Sequence, residues 1–413
     1  MNEIVVAFPG QGSQYDGMGK SWFDENESVR ARFAEASELL GYSLEKLCFR
    51  GDPGELTRTH HAQASIFVLS YAMYEVLQAA GPFTVDYMTG HSLGELTALA
   101  AAGAITFPEA VRLVQVRGEA MEECAQSTRT GMVAVLGLSP EEVESLVAEF
   151  NREGSHIQVA NDNSDQQTVL GGTLEEIEAF SELLNERGHR YARLNVAGAF
   201  HSSHMSAAVP AFTAAIEATN IVMPSVPVVS SITGTVYQSV EEIRNALATQ
   251  ITNPVRWRSV METLQTRDVR LWIESGPKQV LTKMIKGGAI EAEALSLEQE
   301  PAEVRAAIER VLARRREEPS FVGLCLGAVA ATRNRNFDDA EYTTGVLAPH
   351  RELQQLAARH EDPRAFTVEE EDVALGLLRR ILQTKGVPVE EQEARIVRII
   401  QRAGSKRRQT LNA

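Results

Sequence analysis

One short stretch, Gly90-His91-Ser92-Leu93-Gly94-Glu95, has the residue types and spacing for nucleophilic chemistry. Val85-Asp86-Tyr87-Met88 ahead of it reads as a buried strand. Leu93 to Ala102 after it, rich in Ala and Leu and free of Pro, reads as a helix. Glycines on either side lack the Cβ atoms that would clash as a chain doubles back, so Ser92 is expected on a strained turn with its Oγ exposed. The same turn aims the Leu93 N–H, at a helix N-terminus, toward the hydroxyl, and that is half of an oxyanion hole. The plainer alternative is a Gly-rich turn whose serine only caps the helix. The strand before and the helix after favour the nucleophile.

A serine needs a base. His201 and His204 stand three apart in Ala197-Gly198-Ala199-Phe200-His201-Ser202-Ser203-His204-Met205, just ahead of a helix. As metal ligands they have no acidic or cysteine partner nearby, so no metal is expected, and the case for His201 rests on Ser92. Pro9-Gly10-Gln11-Gly12-Ser13-Gln14 is a Gly-rich loop without the ending or spacing of a phosphate cradle. Its glycines could let the backbone approach Ser92. Arg117 lies beside an apolar helical stripe of Val111, Val114, Gly118 and Met121; it is either a snorkelling surface residue or a fork for a carboxylate. Gln63, ahead of an apolar helix face, reads by itself as a first-turn polar residue.

These residues require a scaffold. Ile4-Val5-Val6-Ala7-Phe8 is a continuous apolar run, as in a central parallel strand. Helices are expected at 26–40 and 63–80, and another from Phe107-Pro108-Glu109. Between 132 and 196 the order changes to strand, helix, two strands, helix, strand. Its two helices open on the capping boxes Ser139-Pro140-Glu141-Glu142 and Thr173 to Glu176. That β-α-β-β-α-β order is a ferredoxin-like insertion. The main body resumes with strands at Val226 to Val229 and Val269 to Glu274, and an amphipathic helix from Glu303 to Arg316 closes it. Helical patterns follow at Glu352 to Arg359, Glu371 to Thr384 and Glu391 to Arg402, then a basic end, Lys406-Arg407-Arg408. The expected fold is therefore α/β: a hydrolase-like large domain with a parallel sheet (1–127 and 198–313), a ferredoxin-like subdomain (128–197) and a mainly helical C-terminal extension (314–413).

Composition bounds the class. A chain of 413 residues is long enough for two or three domains, and a formal charge of −16 argues against general nucleic-acid binding. Cys48, Cys124 and Cys325 are far apart and make no metal spacing, which fits a reduced cytosolic compartment. The N-terminus has no basic region followed by an apolar stretch, and the longest apolar run, Phe321 to Ala331, is too short for a bilayer. A soluble, cytoplasmic protein without membrane contact is expected.

Five motifs together, Phe8-Pro9-Gly10-Gln11-Gly12-Ser13-Gln14, the Ser92 stretch, Gln115-Val116-Arg117, Gly198-Ala199-Phe200-His201 and Asn253-Pro254-Val255-Arg256-Trp257, resemble malonyl-CoA:acyl carrier protein transacylases in order and spacing over roughly residues 1 to 313. The extension, in stretches such as Thr384-Lys385-Gly386-Val387-Pro388-Val389, resembles that of free-standing acyltransferases serving trans-acyltransferase polyketide synthases. The resemblance implies malonyl transfer from malonyl-CoA to the phosphopantetheine thiol of an acyl carrier protein, for polyketide or fatty acid synthesis, with no cofactor. It assigns Ser92 as nucleophile, His201 as base, and Gln11 and Leu93 as oxyanion donors. Arg117 would bind the carboxylate, with Gln63 at the edge of the site and His91 shaping the pocket. The backbone carbonyl of Gln250 would orient His201. Phe200 would disfavour a branch methyl and so prefer malonyl, since resembling enzymes that take methylmalonyl tend to carry Ser there. The family often has Asn where Ser231 stands, which leaves open a second contact to His201 from that position. Competing readings are an acyl hydrolase that clears stalled carrier proteins, an esterase and an idle docking subunit. Arg117 argues against the first, the insertion and the Phe8–Gln14 loop against the second, and the complete dyad against the third.

Overall fold

The computed structural model describes residues 3–402 except 82, 128, 153, 268 and 289. Ile4 to Phe8 are fully buried, because a run of five apolar residues has no face to turn to water. They form β1 (Glu3–Phe8), and β2 (Tyr87–Gly90) lies parallel beside it. β3 (Thr130–Leu136), β4 (Gln158–Ser164), β5 (Gln167–Thr173) and β6 (Arg190–Arg193) make a separate antiparallel sheet. β7 (Val228–Val229), β8 (Val269–Glu274) and β9 (Glu293–Ser296) return to the first, which runs β7-β2-β1-β8-β9 with every neighbouring pair parallel. β1 and β2 end side by side, Phe8 against Gly90. The loops carrying Gln11 and Ser92 therefore leave the same carboxyl edge, where open parallel sheets place their ligands.

Several elements differ from the sequence reading: the helix expected at 63–80 runs Thr59–Ala79, which puts Gln63 beyond its first turn, and the strand expected at Val226 to Val229 is only Val228–Val229. β2 begins at Tyr87, not Val85, because the Asp86 carboxylate accepts the Ile4 N–H at 2.7 Å where the ladder would start. β9 was not legible, since Glu293-Ala294-Leu295-Ser296 holds no β-branched residue.

The antiparallel sheet has the order β4-β5-β3-β6, with β3 and β5 central, as a split βαβ requires. Its helices, Pro140–Asn151 and Leu174–Glu186, each open on a formed capping box, Ser139 with Glu142 and Thr173 with Glu176. Val143, Phe180 and Leu184 from these helices pack with Val133, Val135 and Leu170 of the sheet. Val255 anchors the β4 edge. Its N–H donates to Ala160 O at 2.9 Å and its carbonyl accepts from Asp162 N at 2.8 Å. Arg258 adds an ion pair to Asp162 at 3.0 Å.

The chain divides into two compact units between Ala307 and Ile308. The second unit is helical within its described residues, with helices Phe321–Ala330, Ala348–Ala357, Val368–Thr384 and Val389–Arg402 around a core that includes Val322, Leu353, Leu378 and Ile381. The apolar run at Phe321 is thus a core helix. Lys385 is buried at its end, donating to Val329 O at 2.7 Å and Thr332 O at 2.9 Å, where the unpaired carbonyls favour a cation. The basic end at Lys406 lies outside the described residues. No helix among those residues is long and apolar enough to cross a membrane.

Replacing Thr173 with Ala removes one of these caps while leaving the packed face alone. The expected loss is about 1 kcal/mol, read as a lower urea midpoint with an unchanged slope.

Candidate active site

Ser92 has φ 53 and ψ −106, a conformation that costs a non-Gly residue on the order of 1–3 kcal/mol. Close packing holds it there. A Cβ on Gly94 would lie 1.9 Å from Phe8 O, and one on Gly90 would lie 2.0 Å from the Gly94 carbonyl carbon. The His91 N–H donates to Phe8 O at 3.0 Å, so the end of β1 fixes the turn. The loop after β1 lies against it, for a Cβ on Gly10 would meet His91 O at 2.5 Å. On these adjoining segments, neither the Gln11 nor the Leu93 N–H donates to an acceptor among the described residues. Two open N–H groups beside a serine hydroxyl suit a developing oxyanion.

Ser92 Oγ is 2.6 Å from His201 Nε2. On the other side of the ring, Nδ1 is 2.9 Å from the backbone carbonyl of Gln250. That carbonyl ends the helix Val240–Gln250, where it has no partner within the helix and is available to a side chain. A carbonyl only accepts, so Nδ1 carries the proton and Nε2 is left to accept from Ser92. The His201 N–H also donates to Ile251 O at 3.1 Å, and its φ of 59 is the second strained value in the pair. Burial and the Arg117 charge push the imidazole pKa down to about 3, against the pull of the Gln250 and Asn253 carbonyls. The base is neutral at any ordinary pH.

Arg117, on the helix Phe107–Ser127, is 1% exposed. Its partners are neutral. NH1 donates to Gln63 Oε1 at 2.6 Å, Nε and NH2 donate to Gln250 Oε1 at 3.2 and 3.0 Å, and NH2 donates to Ser92 Oγ at 2.9 Å. No carboxylate among the described residues is in ion-pair contact with it, although Glu95 favours its charged form from further off. Desolvation lowers its pKa to about 10, so the cation persists. Between Arg117 and Glu95 stands the Gln250 amide, whose Nε2 donates to Glu95 Oε2 at 2.7 Å and to Ser92 O at 3.1 Å. Glu95, fully buried, also accepts from Tyr237 OH at 2.5 Å and from Ser231 N and Oγ at 3.1 and 2.7 Å. Ser231 is thereby turned to Glu95.

The structure thus brings Ser92, His201, Arg117, Gln63 and Gln250 into one hydrogen-bonded group. Phe200 is buried next to His201 in the chain. His91 points from the elbow to the subdomain, with Nε2 2.9 Å from Asn163 Oδ1 of β4. Burial lowers its pKa. Sequence reasoning gave no part to Glu95, Asn163 or the Gln250 side chain. For Glu95 a signal existed, since a lone carboxylate in an apolar helix needs partners. For Asn163 there was none.

A serine at a strand-to-helix turn, an imidazole steered by a backbone carbonyl and a pair of open N–H groups are an arrangement suited to acyl transfer. The acyl transferase domain model matches residues 5–310, and the chain belongs to that family. Within it, the malonyl CoA-acyl carrier protein transacylase of Bacillus subtilis is 38% identical over 287 residues, covering 69% of this chain and 90% of that one. The polyketide biosynthesis malonyl CoA-acyl carrier protein transacylase BaeC of Bacillus velezensis is 36% identical, covering 68% and 95%. A malonyl-transacylase solved in complex with a type II polyketide synthase acyl-carrier protein superposes with a TM-score of 0.71 at 34% identity, covering 75% of this chain and 100% of that one.

The depressed pKa of His201 has a sign that can be tested. Between about pH 6.5 and 3 the unfolded chain takes up this proton and the folded chain does not. His201 therefore subtracts stability as pH falls through that window and has no effect above it. Labelling of Ser92 by phenylmethylsulfonyl fluoride is expected to keep its rate from pH 8 to pH 5. A decline centred near pH 6.5 would show an imidazole that titrates normally.

Proposed function

We propose that this enzyme transfers a malonyl group from malonyl-CoA to the phosphopantetheine thiol of an acyl carrier protein through an acyl-enzyme on Ser92. The observation that carries the reading is the Arg117 guanidinium, buried against Ser92 Oγ with neutral partners and no ion-pair contact among the described residues. A desolvated cation of this kind is completed by a carboxylate, and the bidentate fork selects one carried by the acyl group itself. The names of the relatives support the same substrate pair.

Ser92 passes its proton to His201 Nε2 as Oγ bonds to the thioester carbonyl carbon. The N–H groups of Gln11 and Leu93 meet the oxyanion, worth a few kcal/mol of barrier. Collapse breaks the C–S bond, and the coenzyme A sulfur leaves with the proton from His201. The carrier thiol then gives its proton to His201 and attacks the acyl-enzyme, after which Ser92 recovers its proton. Gln250 holds the imidazole by its carbonyl, Gln63 holds Arg117, and His91 braces the elbow. Residues 1–127 and 198–313 form the catalytic domain in this reading, with 128–197 inserted into it and 314–413 appended. The carrier protein is that of a polyketide or fatty acid synthase in the cytoplasm.

Intact-protein mass spectrometry after mixing with malonyl-CoA tests the reading. Wild type is expected to gain one malonyl mass and Ser92→Ala none; a malonylated variant would put the nucleophile elsewhere. Phe200 is expected to set the extender, because a phenyl ring beside the acyl α-carbon crowds a branch methyl by about 1–3 kcal/mol. In competition between equal malonyl-CoA and methylmalonyl-CoA, wild type is expected to load malonyl and Phe200→Ser to relax the preference. Equal loading by wild type would leave Phe200 as ordinary core.

A further inference from the structure

Counting the protons on Arg117 leads past its role as a clamp. A guanidinium has five N–H groups. Four are engaged: Nε–H and one NH2 proton on Gln250 Oε1, one NH1 proton on Gln63 Oε1, and the second NH2 proton on Ser92 Oγ. The edge formed by Nε and NH2 is therefore filled by the Gln250 amide. A carboxylate that pairs with two parallel N–H bonds needs one whole edge. The remaining edge joins NH1 and NH2, and its NH2 proton is the one now on the nucleophile.

We propose that Arg117 is a substrate-operated latch on Ser92: without a carboxylate in the site it holds the nucleophile through Oγ, and an incoming acyl carboxylate draws off that N–H and releases the hydroxyl to react. The inference rests on the acyl-transfer reading above and adds a second level of selection to it. In the resting site Ser92 Oγ donates toward His201 Nε2 at 2.6 Å and accepts from Arg117 at 2.9 Å. The accepted bond occupies electron density that attack on a thioester carbonyl requires. Acetyl thioesters arrive without a carboxylate and meet the latched serine. Malonyl thioesters carry their own release. Selectivity then arises at the nucleophile as well as in the binding pocket. The latch is returned when the acyl group leaves, because the guanidinium, surrounded by neutral partners, has no ion-pair partner among the described residues to turn to. Gln250 makes this possible by keeping Glu95 from taking the fork: its Oε1 faces Arg117 and its Nε2 faces Glu95.

The test separates the carboxylate from the acyl group. Ser92 of the wild-type protein is labelled with phenylmethylsulfonyl fluoride, which carries no carboxylate, in sodium formate and in sodium chloride of equal ionic strength. Adduct mass is followed over time. Formate fits the NH1–NH2 edge of Arg117 once the NH2 proton leaves Ser92, and it is expected to raise the labelling rate roughly tenfold, the scale of removing one charge-assisted hydrogen bond. Arg117→Ala is expected to label at the raised rate in either salt. Formate that slows labelling of the wild type, or leaves it unchanged, overturns the latch. That arm needs no variant, so a poorly folded Arg117→Ala protein does not weaken the test. Malonyl-CoA is run in parallel: a malonyl adduct without a formate effect removes the latch and leaves the transfer reading standing, whereas no malonyl adduct removes the transfer reading itself.

Discussion

Taking a guanidinium out of water costs several kcal/mol unless other groups replace the lost solvation. Arg117 meets this constraint with side-chain amides and a hydroxyl. Amides compensate part of the desolvation and leave the charge unneutralised, so a site that is adequate when empty becomes better when an anion enters. Most of the surrounding sequence serves that balance. Gln63 comes from the helix Thr59–Ala79, Ser92 from the elbow, and Gln250 from the end of the helix Val240–Gln250. Each must be held to a few tenths of an ångström for the fork to keep its partners.

The same charge acts on the base. Arg117 is the second cause, after burial, of the low pKa of His201. In the proposed reaction, a carboxylate that neutralises the guanidinium would raise the proton affinity of the imidazole just when it is to accept a proton from Ser92. Under that proposal, substrate binding and base strength would be joined through one cation. Glu95 completes the arrangement as a counter-charge set one amide away from Arg117.

How much of this could be read from the chain depends on the range over which each feature is determined. The elbow was legible because two glycines, a strand and a helix lie together between Tyr87 and Ala101. The capping boxes at Ser139 and Thr173 were legible for the same reason. The start of β2 was misread because Asp86 bonds to Ile4, eighty-two positions away. The carbonyl of Gln250 carries no sequence signal, since every residue has one, and it entered only through family resemblance. The Gln250 side chain and Asn163 have roles defined wholly by distant partners, so periodicity and spacing were silent on them. Glu95 lay in plain view within the Ser92 motif, and only its burial explains why a carboxylate belongs there.

The parallel sheet has a consequence for synthesis. β1 leaves the ribosome long before β8, one of its two neighbours, which begins at Val269. Until that segment has been translated, an apolar strand has one edge without its ladder, the condition under which nascent chains pair with the wrong partner. His201 likewise lacks its orienting carbonyl until Gln250 appears. The N-terminal hundred residues, which hold the nucleophile and the motif most easily noticed, are thus the part of the chain most dependent on what is made later. A fragment ending shortly after Arg117 would carry Ser92 and Arg117 but lack His201, Gln250 and the β8 neighbour of β1.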